Sequence, residues 1–283
     1  MHPTRRSLLA AGLTLPLAGC SASGALNALV PRGTYRSETD IAYGDDPRQR
    51  LDVYLPEQPG TGAPLVVFFY GGTWSHGERA TYRFVGEALA SAGIVTVVAD
   101  YRLSPQVRWR AILDDCARAT RWSLDAARRL GAAPERLLVM GHSAGAYNAA
   151  MLALDGRWLA AHGMAPRQLA GWIGIAGPYD FLPIGDRATQ RAFDWPDTPA
   201  DSQPIAHVSA QAPRTLLLAA REDRTVNPQR NSEALADRLQ RAGVPVRLRL
   251  LDQVSHVTVI AALAGPLRSL APVRDEVTAF VLA

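Results

Sequence analysis

The ten residues Leu137-Leu138-Val139-Met140-Gly141-His142-Ser143-Ala144-Gly145-Ala146 restrict the fold of this chain more than any other stretch. A short apolar run, readable as a buried strand, meets Gly-x-Ser-x-Gly and passes at once into an alanine-rich helical pattern. A serine on so abrupt a strand-to-helix turn has to take strained backbone angles, and its neighbours need almost no side chain. Gly141 and Gly145 supply that room. Ser143 is then expected to project from the C-terminal edge of a sheet, with the first amides of a helix behind it.

The pattern on either side of the elbow supplies such a sheet. Residues 37–43 and 49–55 alternate apolar and polar, as antiparallel edge strands do, with Gly44-Asp45-Asp46-Pro47 as the turn between them. Continuous apolar runs at 65–69, 94–99, 170–176 and 215–220 read as strands buried on both faces, and 246–251 as the last strand. Helices are expected over 79–92, 107–130, 146–154 and 228–242, with a closing helix from Val273. Strands alternating with helices predict an α/β fold with a mostly parallel, doubly wound sheet and an antiparallel N-terminal edge. Residues 181–211 lack clear periodicity and are rich in Pro, Asp and aromatics, so they read as a partial lid or an irregular surface excursion.

The first 19 residues read as a signal peptide. Arg5-Arg6 precede a short, mildly apolar stretch that is too short to remain as a membrane span. Leu17-Ala18-Gly19-Cys20 resembles the lipobox of bacterial lipoproteins, which implies cleavage before Cys20 and its acylation. Residues 4–9 also resemble a twin-arginine export signal. The expected organisation is a signal peptide over 1–19, a lipidated tether over 20–34 and a catalytic domain over 35–283. The chain would then be anchored in the bacterial cell envelope, facing the periplasm, after export by the twin-arginine or the general secretory route. Cys116, the other cysteine, falls at a buried spacing in the helix expected over 107–130, so no disulfide is expected if Cys20 carries lipid.

Every basic residue is an arginine, and the net charge is +4. These arginines are scattered along the chain instead of clustering with aromatics, which argues against a nucleic-acid partner. The cysteines and histidines show no metal-ligand spacing, so neither a metal nor a cofactor is expected.

A serine hydroxyl becomes a useful nucleophile when a base takes its proton and an acid fixes the tautomer of that base. On a sheet of this kind the partners follow in the order Ser, Asp or Glu, His, each at a strand end. His256 lies in the loop after the last strand, and Asp223 in the loop after the penultimate one. Glu222 is adjacent to Asp223 and is expected to point elsewhere; Asp252 is expected to terminate its strand. Asp180, at the end of an earlier strand, is the fallback acid. An oxyanion requires backbone N–H donors converging on one point. Ala144, after the serine, would supply one, and the Gly-rich loop Tyr70-Gly71-Gly72-Thr73-Trp74 the others.

Taken together, Gly71-Gly72-Thr73-Trp74, Asp100-Tyr101-Arg102-Leu103-Ser104-Pro105, Gly141-His142-Ser143-Ala144-Gly145-Ala146, the Asp223 loop and His256 resemble the esterase/lipase branch of the α/β-hydrolase superfamily. Within that branch the likeness is to small carboxylesterases of the feruloyl-esterase-like and arylformamidase-like kind. The resemblance implies Ser143 as nucleophile, His256 as base and then acid, and Asp223 as its orienting carboxylate. Gly72, Thr73 and Ala144 would form the oxyanion hole, and Asp100 and Arg102 would brace the loops beneath. Tyr70 stands where the family usually has histidine, so its loop needs a different hydrogen bond. Ala220 stands where the acid loop normally has glycine. No long segment precedes the first strand to form a helical cap, which favours an open cleft. Trp74, Tyr147, Phe181 and Trp195 are candidates to line it.

The expected function is hydrolysis of short-chain or aryl esters through an acyl-enzyme, with a small-molecule ester as partner and no cofactor. Two alternatives stay open: C–N hydrolysis of the arylformamidase or peptidase type, and a non-catalytic surface lipoprotein that keeps the fold.

Overall fold

The apolar runs form one eight-stranded sheet in a computed structural model that describes residues 22–58 and 60–283. Its strands are β1 (Tyr35–Ala42), β2 (Arg50–Pro56), β3 (Ala63–Phe69), β4 (Val95–Ala99), β5 (Ala132–His142), β6 (Gly171–Ile175), β7 (Thr215–Ala220) and β8 (Val246–Leu251). They lie in the order β1-β2-β4-β3-β5-β6-β7-β8. β1 pairs antiparallel with β2, and β2 with β4; all later pairings are parallel. Strands 4, 6 and 7 are buried at every position, as expected where helices cover both faces. β8, the far edge, alternates instead: Arg247 and Arg249 turn outward and pair with Glu276 of the closing helix Val273–Leu282.

The helices match the expected positions with three adjustments. Where one helix was expected over 79–92, a 3-10 turn at Arg79–Tyr82 precedes the α-helix Arg83–Ala90. Asp100 pins this start: its carboxylate accepts from the Arg79 amide at 2.7 Å and from its guanidinium at 2.5 Å. The helix expected over 107–130 is α-helical over Trp109–Ala126 and then loosens into turns up to Gly131. The one expected over 228–242 opens with a π-helical turn, Gln229–Glu233, before Ala234–Arg241. Asn231, buried in that wide turn, accepts from the amides of Tyr179 and Asp180.

Residues 22–28, expected as part of a tether, form a short helix. It docks on the domain: Leu26 packs against the core, and Asn27 bonds to the Ala80 carbonyl and the Phe84 amide. Ordering costs entropy, and these contacts offset it locally. The signal peptide and Cys20 lie outside the described residues. The 181–211 stretch holds a helix at Arg187–Ala192 and 3-10 turns at Ala200–Ser202 and Pro204–His207. No helix among the described residues is long and apolar enough to cross a membrane.

Candidate active site

β5 runs into the helix Ala144–Leu154 through Ser143, whose backbone sits at φ 53° and ψ −121°. Such angles are costly for a non-glycine residue and persist only where packing enforces them. The Ser143 amide donates to the Ile175 carbonyl of β6 at 2.8 Å, which fixes the turn to the sheet. A Cβ on Gly145 would overlap the Phe69 and Tyr70 carbonyls, and one on Gly141 the Gly145 carbonyl. Here the two flanking glycines are required by space.

Three residues from three strand ends meet at this turn. Ser143 Oγ lies 2.9 Å from His256 Nε2, and His256 Nδ1 lies 2.7 Å from Asp223 Oδ2. A carboxylate only accepts, so Nδ1 carries the proton and Nε2 is free to accept from the serine hydroxyl. Asp223 Oδ1 in turn accepts from the amides of Thr225 and Val226. Burial works against the Asp223 carboxylate, but the bonds from His256 and the two amides outweigh it and hold its pKa below the ordinary range. The other acids lie elsewhere. Glu222 is exposed, Asp252 pairs with Arg221, and Asp180 pairs with Arg230.

Beside the serine, Thr73 and Trp74 hold φ of 51° and 56°, and Gly72 holds 133°. A Cβ at Gly72 would overlap the His76 carbonyl, so only glycine makes this turn. Thr73, Trp74, Ser143 and Ala144 line a cavity of about 170 Å³ together with Phe181 and Ile184. Gly72 shapes the loop, while Thr73 and Ala144 face the space in front of the serine. The volume is small against the several hundred Å³ of a drug-sized pocket. Of the expected lining aromatics, Trp74 and Phe181 do face it. Tyr147 is instead wholly buried, its hydroxyl donating to the Ser202 carbonyl, and Trp195 lies in a different, exposed pocket.

The loop after β3 is held by polar contacts that replace the histidine usual at position 70. Tyr70 donates its hydroxyl to Asp100 Oδ1 at 2.7 Å and accepts from Arg48 Nη2 at 2.8 Å. Burial, then the Asp100 carboxylate, push the phenol well above its usual pKa, so it keeps the proton it donates. Arg48 also reaches the carbonyls of Gly77 and Tyr101, and Arg102 forks onto buried Asp115. Three participants were not singled out from sequence: Arg48, Asn148 and the bonding role of His142. Asn148 had a signal, being a lone amide in an otherwise small and apolar helix. Arg48, one arginine among many in a surface turn, had none.

Known proteins resemble this chain in sequence and in fold. The BD-FAE family profile matches residues 51–239. A probable isoprenylcysteine alpha-carbonyl methylesterase of Oryza sativa subsp. japonica is 29% identical over 249 residues, covering 81% of this chain and 59% of the relative. The chain thus spans about three fifths of that relative's length. Kynurenine formamidase of Danio rerio is 25% identical over 237 residues, covering 82% of this chain and 78% of the relative. Among solved structures, an inhibited esterase B from Lactobacillus rhamnosis superposes with a TM-score of 0.77 at 20% identity, covering 92% of this chain and 90% of that one. That likeness identifies the fold as that of the α/β-hydrolases.

Proposed function

The chain belongs to the BD-FAE family, and from that premise we propose that it is a serine carboxylesterase acting on short-chain or aryl esters. The observation that carries the reading is the unbroken relay from Asp223 through His256 to Ser143 at the wall of a small cavity. In this mechanism Ser143 Oγ attacks the ester carbonyl carbon while His256 Nε2 takes its proton. The carbonyl oxygen becomes an oxyanion that accepts from the amides of Thr73 and Ala144, with Gly72 as the third candidate donor. His256 then passes its proton to the leaving alkoxide as the C–O bond breaks, giving the free alcohol and an acyl-serine. Water, deprotonated by the same imidazole, attacks the acyl-serine; the acid leaves and Ser143 regains its proton. Asp223 holds the imidazole in the required tautomer and opposes the positive charge it gains.

The small cavity favours a short or flat group directly beside the reacting carbonyl. The kynurenine formamidase relative supports a second reading, C–N hydrolysis by the same residues, since the attack on a formamide carbonyl is chemically parallel. Releasing nitrophenolate from 4-nitrophenyl acetate, against cleavage of an N-formyl aromatic amine, separates the two. A fluorophosphonate probe should label Ser143, and Ser143→Ala should lose turnover by several orders of magnitude while staying folded. Failure to label would support the third reading, a binding protein with a hydrolase fold, whereas ordinary turnover in that variant would refute Ser143 as the nucleophile.

Anchoring belongs to the same proposal. Lipidation at Cys20 would hold the domain at the envelope membrane, facing the periplasm, and two or more acyl chains suffice for stable attachment. Palmitate labelling that is lost in Cys20→Ala tests it; labelling that persists, or never occurs, overturns it.

A further inference from the structure

The helix Arg187–Ala192 separates two pockets. Asp186 and Thr189 contribute to the cavity before Ser143, whereas Arg187, Gln190 and Arg191 line a second, open pocket of about 320 Å³. Arg108, Asp194 and Trp195 complete it. Its one acid is already engaged: Asp194 takes Arg110 at 3.0 Å, Arg108 at 3.6 Å and the Trp109 indole N–H at 3.3 Å. Arg108 further donates to the Arg191 main-chain carbonyl. Among the described residues, no carboxylate pairs with the guanidinium of Arg187 or of Arg191. Three guanidiniums against one carboxylate leave the pocket with a surplus of two positive charges. Trp195, 55% exposed, offers an apolar face beside them.

We propose that this pocket is an anion subsite, which takes a carboxylate at the far end of an ester substrate while Trp195 packs on the connecting chain. Two planar guanidiniums without partners match a carboxylate's geometry, because each can donate two parallel N–H bonds. A helix with its side chains is about 10 Å across, so the anion sits about that far from the reacting carbonyl. The substrate class is a half-ester of a dicarboxylic acid, or an ester of an ω-hydroxy acid. This inference rests on the esterase reading and adds a selectivity that the reading alone does not give.

Two matched pairs test it. On the acyl side, the 4-nitrophenyl half-ester of suberic acid is compared with its terminal carboxamide. On the alcohol side, the acetate ester of ω-hydroxyoctanoate is compared with its carboxamide. Within each pair the chemistry at the carbonyl is constant and one charge changes. In at least one pair the carboxylate should lower KM about tenfold, as charge-assisted bonds to two arginines would. High salt should shrink that advantage, and Arg187→Gln with Arg191→Gln should bring it to near parity. Parity in both pairs for the native protein, or an advantage that survives the double substitution, overturns the subsite. If none of the four esters is turned over, the esterase reading itself fails. The pocket is then judged by calorimetric titration of suberic acid monoamide: binding lost in the double variant supports it, and no binding overturns it.

Discussion

The indole N–H of Trp74 donates to Asn148 Oδ1 at 3.0 Å, joining the loop that carries Thr73 to the helix that begins at Ala144. The two amides proposed to hold the oxyanion come from these two elements, 71 positions apart in the chain (144 − 73). Their convergence depends on whatever fixes one element against the other. A second contact also holds the loop, the Ser104 amide donating to the Trp74 carbonyl at 2.8 Å. Trp74→Phe keeps much of the packing against Tyr147 and Phe193 but removes the donor. It leaves Asn148 Oδ1 buried without that partner, which should cost about 1–3 kcal/mol of stability. If the bond positions the hole, kcat should fall about tenfold to a hundredfold with KM nearly constant, since a lost oxyanion donor costs more than that. A loss confined to thermal stability, with kcat intact, would make Trp74 a packing residue only.

Tyr70 offers a second lever on the same loop. Its hydroxyl lies between Arg48 and Asp100, donating to one and accepting from the other. Tyr70→Phe leaves both charged groups facing an apolar edge, so stability should drop by about 1–3 kcal/mol. Arg48 and Arg79 still reach Asp100, at 3.7 Å and 2.5 Å, which limits the loss. Denaturant unfolding of the two proteins side by side measures it. An unchanged midpoint would mean that the arginines alone brace the loop.

Legibility of the sequence divides along the same lines. Strand positions were readable because a strand buried on both faces must be apolar nearly throughout, as 215–220 is, and because an edge strand alternates, as 246–251 does. Both match residue for residue. Ser143, Asp223 and His256 were readable because chain order specifies strand ends, and the structure brings those three together. What stayed hidden depends on tertiary partners. A lone amide makes Asn148 stand out in its helix, but nothing local names a tryptophan 74 positions earlier as its partner. The helix Arg187–Ala192 is too short to show an amphipathic period, yet it divides the two pockets. Tyr147 and Trp195 were both plausible cleft aromatics by composition; only packing sends one into the core and the other to solvent.

Gly145→Ala tests the elbow by sterics alone. The added methyl would collide with the main-chain carbonyls of Phe69, the last residue of β3, and of Tyr70 just beyond it, and main chain cannot swing aside as a side chain can. The expected outcome is little soluble protein, or a clearly lowered unfolding temperature with no turnover. A variant with native stability would mean that the turn is looser than its backbone angles imply.

His142 makes the last prediction, and it concerns pH. Its Nε2 lies 2.9 Å from the His256 carbonyl, so Nε2 carries the proton and donates it, tying the elbow to the loop of the proposed base. Burial, and then the neighbouring His256, push the His142 pKa down to about 3, so the ring stays neutral in the folded protein. In the unfolded chain it should titrate near the ordinary value of about 6.5. As pH falls below about 6.5, the unfolded state takes up a proton that the folded state refuses until about pH 3, so stability drops on acidification. The loss from this one group should approach about 1.4 kcal/mol per pH unit inside that window. His142→Gln retains an N–H able to reach the same carbonyl but cannot titrate. Urea unfolding from neutral pH down to about pH 4.5 should therefore show a shallower decline for the variant than for the native protein. Equal slopes would show that the buried imidazole is protonated alike in both states, and the elbow would then lose its neutral donor.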